Sequence, residues 1–394
     1  MHGFGFHTLA LLTAVGFAGP LLASIPRLRI PAIIGELAAG LVIGKTGFDV
    51  VDASDPTFRL FANIGFGLVM FVVGTHVPVR GGQLRSAIPL ALARAAAGGA
   101  AAVALGIGLA TAFGTGHPAL YAVLMASSSA AVALPVIDSL GLRGPTVLSV
   151  TAQIAIADTA CIVLLPLVID IRRAPATALG ALALTGCATV LFVLLRAVDR
   201  RGWRQRLHDY SKKQRFALEL RYNLLLLFAL SAFAVATHVS IMLAGFALGL
   251  VIAMVGEPRR LARQLFGVTE GFFSPLFFVW LGASLQVRDL GSHPKFILLG
   301  LALGVGAVLA HCVGRLLGQP LPLALLAAAQ LGVPVAAATI GTEEHLLAAG
   351  EPSALLLGAL LTIGATSIAG VWAAHRPAAG GDAAAEAKDA GTPV

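Results

Sequence analysis

Apolar residues run along this chain in blocks too long and too uniform for the half-buried faces of a soluble fold. Thirteen blocks fall near 4–24, 31–45, 57–77, 87–113, 117–138, 145–169, 175–196, 220–237, 239–255, 267–286, 294–316, 320–341 and 352–373. A helix crossing the hydrocarbon layer needs about 20 apolar residues, and most of these blocks supply them. The second and ninth are short and interrupted by glycine, as where a transporter breaks a helix or packs it steeply. The pattern predicts an all-α, polytopic membrane protein of about 13 spans.

Composition agrees and excludes other classes. The 394 residues are 58% hydrophobic and 12% charged, whereas soluble domains carry about 25% charged residues. Mean hydropathy is +0.89. The 45 glycines suit helices that approach closely in lipid. A net charge of +8 in a soluble chain would suggest a nucleic-acid partner. Here basic loops that fix topology explain it, no nucleic-acid module is present, and the bilayer is the expected partner. Cys161, Cys187 and Cys312 lie inside apolar blocks without CxxC spacing and read as small hydrophobes. The apolar start at Phe4 lacks a basic flank and reads as a first span rather than a cleaved signal.

Loop charge sets the orientation. With the N-terminus outside, Arg27, Arg29, Arg80, Arg85, Arg143, Arg259, Arg260, Arg263, Arg315 and the cluster from Arg196 to Arg221 all fall inside. That predicts an N-terminus outside and a cytoplasmic C-terminus, in a cell's inner (plasma) membrane. Arg94, inside span 4, reads as a side chain that snorkels back to the cytoplasmic face. The basic stretch 196–221 reads as a cytoplasmic linker on anionic headgroups, anchored by Trp203 and Tyr210. The transmembrane unit is then 1–377, with a first repeat over 1–169, a connector helix over 175–196, the linker at 197–219 and a second repeat over 220–373. The small, polar stretch 378–394 reads as a disordered cytoplasmic tail, with no nucleotide-binding domain after it.

The repeats rest on two matches in register. Gly40-Leu-Val-Ile43 recurs as Gly249-Leu-Val-Ile252, and Gly74-THVPV-Arg80 is echoed by Gly282-ASLQV-Arg288. Arg80 falls inside and Arg288 outside, so the copies run in opposite directions. Two inverted six-helix repeats are the architecture of many secondary transporters, whose site lies near the midplane where discontinuous helices meet. Span 5 carries Ser127, Ser128, Ser129 and then Pro135, and span 12 carries Gln330, Gly332 and Pro334. Both are candidate broken helices, whose freed carbonyls can coordinate a cation.

Between them stands Asp158, alone near the middle of the apolar span 144–170. A carboxylate at that depth costs roughly 3 kcal/mol or more unless protonated, paired or hydrated, so it marks a proton or monovalent-cation site, helix–helix hydrogen bonding being the plainer alternative. Proton and cation would compete for the one carboxylate. Thr151 lies near its face and Gln153 roughly opposite. Glu36, near the cytoplasmic end of span 2, is either a proton relay or an acid hydrogen-bonded in a funnel. His311 in span 11 is either a pH sensor and counter-charge or a packing residue.

Six segments carry a resemblance to a known family: PAIIGELAAGLVIGKTGF, IGFGLVMFVVGTHV, LMASSSAAVALPVI, AQIAIADTACIVLL, SPLFFVWLGASLQV and AAAQLGVPVAAATIG. Together they resemble the monovalent cation:proton antiporter-2 family of sodium–proton antiporters and potassium-efflux proteins. The resemblance implies thirteen helices, a dimerisation domain beside a moving six-helix core, and a homodimer. It puts Asp158 at the family's ion-binding aspartate and Ser127–Ser129 in the crossover motif. The chain departs from that pattern in three places. Ala157 stands where relatives have Asp, Asn or Gln; His311 falls where some have lysine; Gly332-Val333-Pro334 replaces an acidic element.

The expected activity is alternating-access exchange of Na⁺ or K⁺ for protons by a protein that is not an enzyme. No cofactor is expected. The lost second acid favours electroneutral exchange. The alternatives are a proton-coupled exporter of a larger organic substrate and a membrane sensor that does not transport.

Overall fold

The computed structural model describes residues 4–25, 32–75, 82–170, 174–202, 210, 214, 216–237, 239–256, 259–285 and 294–375. The tail at 378–394, the part of the linker that holds Trp203 and the ends of the Gly74 and Gly282 motifs lie outside them.

Every apolar block becomes a helix, and no strand forms among the described residues. In chain order these are α1 (Phe6–Ala23), α2 (Ala32–Ile43), α3 (Pro56–Thr75), α4 (Gly82–Phe113), α5 in two halves (Pro118–Ala126 and Ala130–Ser139) and α6 (Pro145–Ile169). There follow α7 (Ala174–Arg200), α8 (Leu218–Ala236), α9 (Ile241–Val255), α10 (Gln264–Ser284), α11 (Pro294–Leu317), α12 in two halves (Leu321–Ala327 and Gly332–Glu343) and α13 (Glu351–Ala374). Eleven are long and apolar enough to cross a membrane, and α2 and α9 are the two shorter ones, as the block lengths required. The connector α7 runs on to Arg200, into the stretch expected as linker. Inside α10 the helix widens to a π turn at Thr269–Phe273.

Lipid offers no hydrophobic force between helices, so close packing of small residues must hold them. A Cβ at Gly40 on α2 would land on the Val279 carbonyl of α10, and one at Gly282 on the Leu37 carbonyl of α2. On the other side, Gly74 of α3 lies against the Phe246 carbonyl of α9, and Gly249 of α9 against the Phe71 carbonyl of α3. The four glycines that head the repeated motifs are thus the points where α2 crosses α10 and α3 crosses α9. A second group packs α4 on α5, α6 and α11, and α13 on α11 and both halves of α12. The broken helices lie inside this group and are its most buried members.

Arg94 does not snorkel. It is 3% exposed on α4, donating through Nη1 to Ser149 Oγ of α6 (3.2 Å) and through Nη2 to the Leu317 carbonyl at the end of α11 (3.0 Å). Both acceptors are protein groups near the ends of their helices, Ser149 in the first turns of α6 and Leu317 at the end of α11.

Candidate functional site

The break in α5 is made by its serines. Ser127 caps the first half in an extended conformation, and helix resumes at Ala130. Pro135 lies well inside the second half and not at the break. Small hydroxyl residues compete with the backbone for hydrogen bonds, which is what a helix interruption needs. In α12, by contrast, Pro334 sits in the first turn of the second half, where a missing N–H is harmless.

Each break frees backbone groups that lipid cannot satisfy, and the two broken helices answer one another. Gln330 of α12 donates its side-chain amide to the Leu124 carbonyl of α5. Ser128 of α5 donates to the Ala327 carbonyl of α12 at 2.6 Å. Ser127 Oγ turns back to its own Leu124 carbonyl at 2.7 Å, and Ser129, 2% exposed, caps the resumed helix through its backbone carbonyl.

Asp158 enters from α6. It is 3% exposed, and its Oδ2 accepts the Ala130 N–H at 3.0 Å. The carboxylate therefore sits on the N-terminal end of the second half of α5, where backbone N–H groups and the helix dipole favour negative charge. Ala157 beside it is buried, and its methyl side chain adds no ligand.

His311 reaches the same crossing from α11. Its Nδ1 faces the Ala307 carbonyl at 3.0 Å and its Nε2 faces Ser128 Oγ at 3.2 Å. Ser128 has one proton to give. If it goes to Ala327, the imidazole completes the set only by donating from both ring nitrogens. If it goes to His311, the Ala327 carbonyl loses its partner. Ser128 thus links the imidazole of α11 to the Ala327 carbonyl of α12.

The structure thus brings together Asp158, Ser127, Ser128, Ser129, Gln330 and His311. Three other expected residues stand apart. Glu36 is buried on α2, whose partners are α1 and α10, and its side chain fills the space beside Gly19. Gln153 is buried with Oε1 unbonded among the described residues, and Thr151 is half-buried on α6. Sequence reasoning missed Thr362 on α13, whose hydroxyl accepts the Gln330 N–H at 3.1 Å. It also missed Thr366, one turn on, whose hydroxyl faces the Leu325 carbonyl at 3.4 Å. A signal existed: Thr366 follows Asp158 at the 208-residue offset that separates Gly74 from Gly282.

Among the described residues no group of three His, Cys, Asp or Glu could hold a resident metal ion. The crossing instead offers one carboxylate, hydroxyls and freed carbonyls, the hard oxygen donors that suit an alkali cation in transit or a proton. A separate cavity of about 580 Å³ opens between α10, the second half of α12 and the α12–α13 loop, lined by Lys45, Arg59, Trp280, Thr339, Thr342 and His345 among others.

Comparison with known proteins gives this arrangement its relatives. Residues 11–374 match the model of the family described as sodium/hydrogen exchanger, transmembrane. YjbQ of Bacillus subtilis is 23% identical over 377 residues, 90% of this chain and 61% of YjbQ. The Na⁺/H⁺ antiporter NhaS5 of Synechocystis is 26% identical over 312 residues, 74% of this chain and 42% of NhaS5. The chain therefore spans less than two thirds of either relative. The sodium proton antiporter MjNhaP1 of Methanocaldococcus jannaschii has the same fold, with a TM-score of 0.68 over 95% of this chain and all of that one, at 17% identity.

Proposed function

The chain belongs to the sodium/hydrogen exchanger family, and on that premise we propose that it exchanges a monovalent cation, Na⁺ or K⁺, for protons by alternating access, with Asp158 as the carboxylate both share. The observation that carries this reading is the bond from Ala130 N to Asp158 Oδ2 inside the break of α5. A carboxylate there cannot stay bare in a dehydrated site. It is neutralised by a proton or by a cation, and the two exclude each other. Ser127–Ser129 and the freed carbonyls supply the remaining oxygens, and Gln330 and Ser128 hold the two broken helices in register. With Ala157 in place of a second polar residue, one carboxylate carries one charge either way, so the exchange is electroneutral.

The inverted repeat belongs to the same proposal. Exchanging the two halves turns the α2–α10 crossing at Gly40 and Gly282 into the α9–α3 crossing at Gly249 and Gly74, which supports it. So do the N-out, C-in orientation, supported by the loop charges, and a homodimer in the plasma membrane, as the family resemblance implies.

The test is purified protein in liposomes with a pH dye inside, challenged with Li⁺, Na⁺, K⁺ and Rb⁺. We expect cation-driven proton flux in the wild type and none in Asp158→Asn. Flux that survives in Asp158→Asn removes the shared-carrier reading, and a rate that follows membrane voltage removes electroneutrality.

One observation favours a second reading, a proton-coupled exporter of an organic compound. The 580 Å³ cavity has the size of a small-molecule site and is far larger than an alkali ion needs. Proton flux that ignores every alkali cation but follows an organic substrate would select that reading.

A further inference from the structure

Glu351, the first residue of α13, is 0% exposed, yet it lies far from the break in sequence and takes no part in the exchange described above. Three donors from three segments converge on it. His117 Nδ1, in the turn before α5, meets Oε1 at 2.9 Å. The Tyr121 hydroxyl, one turn into α5, donates to the same oxygen at 2.7 Å. The Ala348 N–H, in the loop between α12 and α13, donates to Oε2 at 3.1 Å. This is the arrangement that a carboxylate anion needs in a protein interior, since all its partners are donors. The glutamate therefore ties together the first half of the broken helix α5, the start of α13 and the loop that lines the large cavity.

His117 is the one member of the cluster that reaches water, with 28% of its side chain exposed. Its hydrogen bond to Glu351 outweighs its partial burial, and with the carboxylate's charge it holds the imidazolium above the usual histidine value. Of the other titratable groups on the elements packed there, Tyr121 of α5 bonds Glu351 directly, Lys295 at the start of α11 places its Nζ over Phe296, and Glu344 and His345 belong to the α12–α13 loop. The Phe296 ring closes against Gly350, next to Glu351.

We propose that His117, Tyr121 and Glu351 form a second proton-binding site, separate from Asp158, that clamps the first half of α5 to α13 and to the α12–α13 loop while His117 is charged. The neutral imidazole keeps its Nδ1–H bond to Glu351 but leaves a buried carboxylate without its counter-charge. The clamp then loosens at the start of the first half of α5, whose other end opens into the break that precedes the Ala130–Asp158 bond. A histidine that holds its proton more firmly in the folded protein contributes stability that is whole below about pH 6.5 and is lost as pH rises through its raised value. The opening equilibrium grows about tenfold for each pKa unit of that rise. That the site faces the outer solution rests on the orientation proposed above; the clamp itself does not.

The experiment is thermal unfolding of the purified protein between about pH 5 and about pH 9, the range in which histidine titrates. It is run in an Asp158→Asn background, so that the exchange site contributes no titration. We expect the midpoint to fall in one step with rising pH, and the step to vanish in His117→Gln and in Glu351→Gln. Tyr121→Phe should lower the midpoint by a similar amount at every pH and keep the step. An unchanged step in His117→Gln overturns the proposal, and so does its loss in Tyr121→Phe with its survival in Glu351→Gln. A missing step in the Asp158→Asn protein counts against the clamp alone, and absent flux in wild type counts against the transport reading alone.

Discussion

At the break in α5, the Ala130 N–H that opens the resumed helix is answered by a carboxylate on the following helix, Asp158 of α6. At the break in α12, the Gln330 N–H is answered by a hydroxyl on the following helix, Thr362 of α13. The two regions are built alike: a short helix, a few non-helical residues, a second short helix and an unbroken helix behind. Both solve the same problem, a backbone donor that lipid cannot satisfy. The hydroxyl solves it with no charge and nothing to exchange. The carboxylate solves it at the cost of a charge that must be neutralised, and in the exchange proposed above that need is what a proton and a cation meet in turn. One break is closed by a neutral group, and the other by a group that carries a charge.

The comparison can be broken hardest at Asp158. Asp158→Thr converts the first break into the chemistry of the second: the hydroxyl still accepts from Ala130, so the protein should fold, and cation-driven proton flux in liposomes should fall below detection. Residual flux would mean that the carboxylate is not what separates the two regions.

Thr362→Val makes the opposite cut. It leaves the Gln330 N–H unpaired at a cost of about 1–3 kcal/mol, so thermal stability should drop. The half-saturating cation concentration should stay as in wild type, measured in the same liposomes. A shift in cation selectivity would show that the second break also contributes to the site.

The smallest effect should come from Thr366→Val, since its contact with the Leu325 carbonyl is long at 3.4 Å. The loss should be about 0.5–1.5 kcal/mol or less, the net worth of one ordinary hydrogen bond, read as a small fall in midpoint with unchanged flux. A loss as large as that of Thr362→Val would make Thr366, at the repeat offset of Asp158, the true counterpart.

Much of this was legible along the chain. The spans came out close to their expected bounds because lipid enforces one rule on every segment: all backbone groups are satisfied internally. Asp158 announced itself for the same reason, as a charge where charges are expensive. Arg94 was misjudged because snorkelling is a default for an arginine without neighbours, and its neighbours Ser149 and Leu317 come from helices 55 and 223 residues away. Pro135 suggests a break in α5, yet the serines before it make that break. Thr362 and Glu351 gave no local sign at all. A threonine in an apolar span usually bonds its own preceding turn, and a glutamate at a helix start usually faces water.

The sequence by itself determined the helical class, the number and order of the apolar segments, the one costly acid and the small residues at which helices meet. These follow from the transfer of single segments into lipid, a property of composition and local order. Only the tertiary structure decided that Gln330 bonds the Leu124 carbonyl and Ser128 the Ala327 carbonyl, that His311 arrives through Ser128, that Asp158 rests on a helix N-terminus and that Glu351 gathers three donors. Those facts depend on which helices cross and at what height. A one-dimensional pattern does not carry that information, because it arises from packing small residues against distant backbone.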